Sequence, residues 1–590
     1  MSSTYVHYST PSSLPSDYAI LSRYAASRAP AEEEENTGAV NGEEDIEDND
    51  HLGVPINSHV AQRRTSFPSM YIKPPNPPAP AIPDEDGTKS TAPTEYTPLL
   101  IPRIQEEEDE EVTGSDTGSK LHVFWEELRI LLKYSFPVYG THLLEYSLVI
   151  ASVVSIGHLS TTALAAATLG SMTASVSGFS IIQGFASTLD TMLPSAWTSS
   201  HPELVGLWSQ RMAVVMAVTL VPIYVVWFNS ESILLLLGQE AEVAHLASVY
   251  LKWVSIGLPA YTFNSISRRY FQSQGLFAAP TRVISAVAPI NAVLNWLLVW
   301  GPKPIRLGFI GAPIATAISF NLVSLASIIY GVFYIPTTAW HPLNRRCFTN
   351  LGVLVQLGLA GVGQTASEWW SWELIGLAAS LLGPVSLATQ SVLLVSASTS
   401  FQAPFSLSVA TSVRIGNLLG ERNAGRAAVA TRVSLLLALI LAGIFSTLFL
   451  VFRHSWGYLF NDDPEVITLV ASILPLVALF QVFDGLSAVT AGILRARGKQ
   501  FTGALLNLSA YYVIGIPFGI WLTFKRDMEL QGLWIGLTVS LVYCAFFGVW
   551  LCLVTDWERE VQKVMDRLAE DKHRGPEDAE RNPTIVAVAH

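Results

Sequence analysis

Between about Lys133 and Thr555 the sequence is a succession of apolar runs joined by short connections. About 20 apolar residues suffice to cross a bilayer as a helix. Inside the bilayer every backbone polar group has to be satisfied within the chain, which a helix does locally. About twelve such runs can be counted, starting near Ile130, Thr162, Met212, Val243, Thr281, Ile305, Leu351, Leu387, Val433, Glu465, Thr502 and Leu533. The reading is an all-α polytopic membrane protein with twelve transmembrane helices. Composition agrees: 50% of residues are hydrophobic and 14% charged, whereas soluble domains carry about 25% charge. Several runs contain Pro or Gly, as at Phe136-Pro137, Gly257-Leu258-Pro259, Pro475 and Ile516-Pro517. Membrane helices tolerate these where neighbours satisfy the freed backbone groups.

The net charge of −13 reflects acids crowded into the ends. Residues 1–122 read as a disordered acidic cytosolic tail, with acidic runs and a proline-rich stretch from Lys73 that cannot bury a core. Within it, Glu95-Tyr-Thr-Pro-Leu99-Leu100 fits the acidic dileucine pattern, an adaptor-read signal toward the vacuole. Arg63-Arg64-Thr65-Ser66 has the form of a basophilic kinase site. The first residues lack the apolar core of a signal peptide, so the first membrane helix is expected to do the targeting. Alternate loops assigned to the cytosolic side hold about thirteen Lys and Arg against about five on the other, which places both termini in the cytosol. Residues 556–590 form a second cytosolic tail. In it Trp557, Val561, Val564, Met565 and Leu568 share one helical face, suited to the membrane surface or to the inner loops.

Three cysteines, Cys347, Cys544 and Cys552, imply no disulfide framework. No zinc spacing, P-loop or dinucleotide fingerprint is present, so no cofactor, no metal and no nucleic-acid partner is expected. His142 and His158 stand too isolated in the spans for a membrane-embedded enzyme.

The sequence repeats. Leu164-Ala165-Ala166-Ala167 aligns with Leu387-Ala388-Thr389-Gln390, Gly184–Asp190 with Ser406–Ser412, and Tyr270–Gly275 with Ile493–Gly498, at an offset near about 223 residues. Six spans separate equivalent points, so the copies share one orientation and an axis along the membrane normal. Two six-helix lobes, residues 123–340 and 341–555, should enclose a central cleft that opens to either side in turn.

One run resists a purely structural reading. Leu351 to Leu382 is free of charge except for Glu368 and Glu373, in Glu368-Trp369-Trp370-Ser371-Trp372-Glu373. An ionised carboxylate at the centre of a membrane helix costs about 3 kcal/mol. Five residues at 100° each put the two acids about 140° apart, so one faces the cleft and the other a neighbouring helix.

At these residues the chain resembles a eukaryotic member of the multidrug and toxic compound extrusion (MATE) family. The likeness covers about residues 130 to 560. It is carried by Gly157-His158-Leu159, Gly184-Phe-Ala-Ser-Thr-Leu-Asp190, Glu368–Glu373, Pro404–Gly420, Asp484-Gly, Gly492–Arg495 and Asn507–Gly519, in family order and spacing. The resemblance implies a monomeric antiporter that exchanges cytosolic organic cations, drugs or metabolites for protons, or for sodium as in bacterial relatives. It places the essential acids at Glu368, Glu373 and Asp484. The chain departs from the family pattern at Met192–Trp197, at Trp372 and at Glu145, and Ser152 stands near the position of the prokaryotic helix 1 aspartate.

A carboxyl group away from water tends to keep its proton, and a second acid nearby strengthens that tendency. A cation can then compete with the proton for the same group. Trp369, Trp370 and Trp372 offer ring faces to an organic cation. Glu145, Asp190 and Asn291 (with Asn295 four residues on) are further cleft candidates in the first lobe. Packing bonds are the competing roles, to Tyr146 or Thr141 for Glu145 and to the inner loops for Asp190. Tyr511 and Tyr512 are placed to bond Asp484, and Arg414 and Arg495 to anchor orientation at inner helix ends. A lipid-linked sugar flippase of the same fold would want cations in mid-span, and the spans show acids there. A major facilitator transporter would carry a Gly-Asp-Arg loop after its second helix, where this chain has Thr198–Gly206.

Overall fold

The computed structural model describes residues 116–157, 159–460 and 463–573. The Glu95–Leu100 and Arg63–Ser66 motifs, His158 and residues 574–590 lie outside them. Helix α1 (Asp116–Gly157) begins inside the segment expected to be an unstructured tail. At 42 residues it would be about 63 Å long, twice the hydrocarbon thickness, so its first turns project beyond the membrane.

The second crossing is built from α2 (Thr161–Ala174), a π turn (Ser175–Phe179), α3 (Ser180–Ala186) and α4 (Leu189–Trp197). Ser160 caps its start, its hydroxyl accepting from the Ala163 amide at 3.0 Å. Next come α5 (Leu204–Phe228), the short α6 (Ser230–Leu236), α7 (Ala241–Val254) and α8 (Leu258–Ser273). The fourth crossing is interrupted by one 3-10 turn at Ser255–Gly257, where Gly257-Leu258-Pro259 denies the helix an amide. Helices α9 (Ala278–Trp300) and α10 (Gly311–Tyr334) complete the first lobe. The second lobe holds α11 (Leu351–Ser380), α12 (Pro384–Gly420), α13 (Ala424–Val451) and α14 (Pro464–Ala496). Its eleventh crossing runs through α15 (Gln500–Leu508), a π turn (Ser509–Gly515) and α16 (Ile516–Lys525), and α17 (Glu529–Leu553) is the twelfth. Helix α18 (Trp557–His573) follows. Among the described residues nine of these crossings are long and apolar enough to span a membrane. The three below that threshold carry Glu145 (α1), Arg268 and Arg269 (α8), and Glu368 and Glu373 (α11).

Each lobe has its own apolar core. In the second it centres on Trp372, Phe480 and Trp534, with ring centres 5.3–5.9 Å apart. The lobes meet where α3 lies against α11. A Cβ on Gly361 would strike the Gly184 carbonyl and the Ser187 hydroxyl, and one on Gly184 would strike the Val362 backbone. Small residues let the two backbones touch.

A third apolar cluster, at one end of the molecule, mixes the lobes. Leu131, Phe124 and Leu128 from the α1 extension pack with α12, α13 and α14 of the second lobe, and with Trp557 and Val564 of α18. Beside it Glu127, fully buried, accepts from Arg414 Nε and Nη2 at 2.8 and 2.7 Å and from Arg426 Nε and Nη2 at 2.9 and 2.6 Å. Arg414, read from sequence as an orientation anchor, is engaged in this buried network.

Candidate functional site

Between the lobes lies a cavity of about 360 Å³, within the usual range for small-molecule pockets. Its second-lobe wall is built by α11, α14 and the π turn of the eleventh crossing. Glu368 and Trp369 project from the middle of α11, and Asp484 from α14, with Gln364, Ser487, Asn507 and Tyr511 around them. The π turn widens the helix at Tyr511 and Tyr512; such bulges occur often at functional sites. There Asn507 Nδ2 donates to the Gln364 carbonyl (3.1 Å) and the Tyr512 hydroxyl to the Ser367 carbonyl (3.0 Å), which fixes α11 just ahead of Glu368. Tyr512 is therefore not the partner of Asp484 that its position suggested. Among the described residues neither Glu368 nor Asp484 has an ion-pair partner.

The first-lobe wall is different. Glu145 on α1 is paired with Arg268 of α8, and its other oxygen lies 3.4 Å from His142 Nδ1. The expected alternatives, Tyr146 or Thr141, are engaged elsewhere: the Tyr146 hydroxyl accepts from Gln402 (2.7 Å), and Thr141 bonds Thr281 (2.8 Å). Asp190 on α4 accepts from Arg269 Nε at 3.0 Å, and its second oxygen lies 3.4 Å from Arg495 Nε of the other lobe. This bridge marks the floor of the cavity. Next to it the Thr191 hydroxyl donates to the Arg495 carbonyl (2.5 Å) and accepts from Gln500 Nε2 (2.7 Å), and the Thr198 hydroxyl donates to the Asn417 carbonyl (2.7 Å). All three bonds cross from the first lobe to the second.

Of the residues singled out from sequence, Glu368, Asp484, Trp369, Trp372, Glu145, Asp190, Asn291 and Tyr511 all line the cavity. Glu373 does not; its carboxylate oxygens are shielded from solvent, and the angle between it and Glu368 separates the two. Trp372 is nearly closed off by Phe480 and Trp534, and Trp370 faces outward with its Nε1 donating to the Val176 carbonyl (3.2 Å). Trp369 is left as the half-buried ring on the cavity. Asn291 touches the cavity, but its amide is engaged by Ser319 Oγ (2.8 Å) and Asn295 Nδ2 (3.1 Å).

Arg268, Arg269, Arg495 and Gln183 were not read as cleft residues, yet they line it. The expectation of a cleft without cations is corrected. Arg268 and Arg269 close an apolar helix and so look like loop charges. Only their pairing with Glu145 and Asp190, far away in sequence, turns them inward.

The MatE family model matches residues 137–297 and 362–521, together more than half of the chain. The two matches begin 225 residues apart, at 137 and 362, which reproduces the internal repeat. An uncharacterized transporter of Schizosaccharomyces pombe is 37% identical over 78% of this chain and 86% of its own length. Protein DETOXIFICATION 12 of Arabidopsis thaliana is 34% identical over 80% and 97%. The crystal structure of the eukaryotic MATE transporter AtDTX14 superposes with a TM-score of 0.71 at 30% identity, covering 75% of this chain and 99% of that one. With the fold, the duplication and the acid-lined cleft in place, the chain belongs to the MatE family and is a eukaryotic-type MATE transporter, not an enzyme.

Proposed function

We propose that the protein is a proton-coupled antiporter that exports or sequesters organic cations, drugs or metabolites by alternating access. The observation that carries this reading is the second-lobe wall, where Glu368 and Asp484 share one cavity with no ion-pair partner among the described residues. Two such acids can be neutral with bound protons or charged with a bound cation, and the two states exclude each other. Trp369 presents a ring face to that cation, worth about 2 kcal/mol in a dry site. Each pH unit across the membrane supplies about 1.4 kcal/mol per proton.

The Lys and Arg distribution supports a cytosolic location for both termini and for the floor at Asp190 and Arg495, and on that orientation the cleft is closed toward the cytosol. The protein works as a monomer. A flippase reading draws on the three cleft arginines, but each of them is paired with Glu145 or Asp190, which leaves little to attract a pyrophosphate.

The test is uptake of a panel of organic cations into proteoliposomes under an imposed proton gradient, with a sodium gradient as the parallel arm. Uptake under the proton gradient alone is expected. Uptake that follows only sodium, or transport of anionic lipids in place of cations, would overturn the reading. The vacuole is the proposed location, on the strength of Glu95–Leu100 as an adaptor signal. Leu99→Ala with Leu100→Ala should move a tagged protein off the vacuolar membrane in fluorescence microscopy; unchanged localisation removes the argument.

A further inference from the structure

Helix α18 follows the twelfth crossing and is strongly amphipathic. The sequence left two sites for its apolar face, the membrane surface or the inner loops. The structure puts it across the end of the molecule that carries the Asp190–Arg495 bridge. Most of its grip is on the second lobe. Trp557 and Val564 are buried in the cluster with Ile415, Leu418 and Ala427. The Arg497 guanidinium lies over the Trp557 ring, 5.7 Å from its centre, and Arg422 Nε lies 3.1 Å from Met565 Sδ. Glu560 is buried among Arg497 (3.4 Å), Lys499 (3.5 Å) and Lys563 (2.9 Å). Burial works against its charge, but the three cations hold its carboxyl below the ordinary value.

The last turns of α18 reach the other lobe. Leu568 packs against the first-lobe core as well as the mixed cluster. Arg567 Nη1 lies 4.0 Å from Met192 Sδ of α4, two residues beyond Asp190. The same guanidinium passes over Gly498 at the end of α14, where φ is +69° and an added Cβ would meet both Arg567 and Thr191. One short helix thus touches the first-lobe helix that ends in the floor and the second-lobe helix that supplies Arg495.

We propose that α18 is a latch across the two lobes: anchored on the second, it holds α4 of the first through Arg567 and Leu568 and so keeps the floor of the cleft shut. The assignment of that floor to the cytosolic side rests on the Lys and Arg distribution given under the proposed function; the latch itself rests neither on that assignment nor on the antiporter reading. When the floor opens, α4 moves away from α14 and the Arg567 and Leu568 contacts are lost while the Trp557 and Glu560 anchor stays. Weakening the tip of α18 should therefore raise the population open at the floor without unfolding either lobe.

The reporter is Ser195→Cys on α4. This residue is 3% exposed, with Gly420 of α12 closed over it. In full-length protein carrying Cys347→Ser, reconstituted in vesicles, its reaction with a polar maleimide added from either side reads floor opening without substrate or gradient. Arg567→Ala with Leu568→Ala should raise the labelling rate several-fold. Glu560→Gln, which loosens the anchor, should raise it less. Gel filtration and thermal unfolding establish that each variant is folded. If labelling is unchanged in both folded variants, the latch is overturned. Failure of proton-driven uptake with labelling still shifted would sink the antiporter reading and leave the latch standing, and labelling from the luminal side would overturn the orientation alone.

Discussion

On the first-lobe wall of the cleft, Glu145 is held by Arg268 and His142, and Asp190 by Arg269 and Arg495. On the second-lobe wall Glu368 and Asp484 stand in the same cavity with no ion pair among the described residues. Both walls carry two acids within membrane-crossing helices. What differs is the company: the charges of one wall are paired, and those of the other have no ion-pair partner among the described residues. Whether an acid in a membrane helix has a counter-charge depends on the helices packed beside it, and sequence position does not reveal that.

The sharpest break of this comparison is to neutralise each wall in turn. Glu368→Gln or Asp484→Asn should reduce proton-driven uptake to background at normal protein level, whereas Glu145→Gln should leave measurable uptake. Equal losses from both walls would erase the distinction. Next in size, a paired acid should reveal itself in stability. Glu127→Ala strands the buried Arg414 and should cost about 3–5 kcal/mol, seen as early thermal unfolding in detergent. A smaller effect separates two tryptophans of one helix. Trp369→Ala removes a ring from the cavity and should weaken cation binding by about 2 kcal/mol. Trp372→Ala opens the Phe480–Trp534 cluster and should lower stability more than affinity. Binding isotherms and unfolding curves on both variants check the assignment.

The duplication and most of the crossings were legible because hydrophobic length is a local property. The fourth crossing breaks at Gly257-Leu258-Pro259, where the sequence places its proline. The third starts earlier than expected, at Leu204, because the helix continues past its apolar stretch to the loop. The cleft residues divide differently. Glu368 and Asp484 stand out because charge is rare in such surroundings. Arg268, Arg269 and Arg495 looked like topology signals, since an arginine at a helix end serves that purpose in most membrane proteins. Glu127 gave no signal: beside Glu126 in the amphipathic run 121–132 it reads as a solvent-facing acid, and it becomes buried only because the α1 extension crosses to the other lobe.

Apolar run lengths, the repeat offset and the rarity of mid-span acids are written along the chain, and they determined a duplicated twelve-helix transporter with a small set of candidate acids. Which acid is paired, which tryptophan meets the cavity and where α18 lies depend on helix rotation and on contacts between residues hundreds of positions apart. These were decided by the tertiary structure. The backbone of a membrane helix is satisfied from within, whereas its side-chain charges are satisfied only by whichever helices pack beside it.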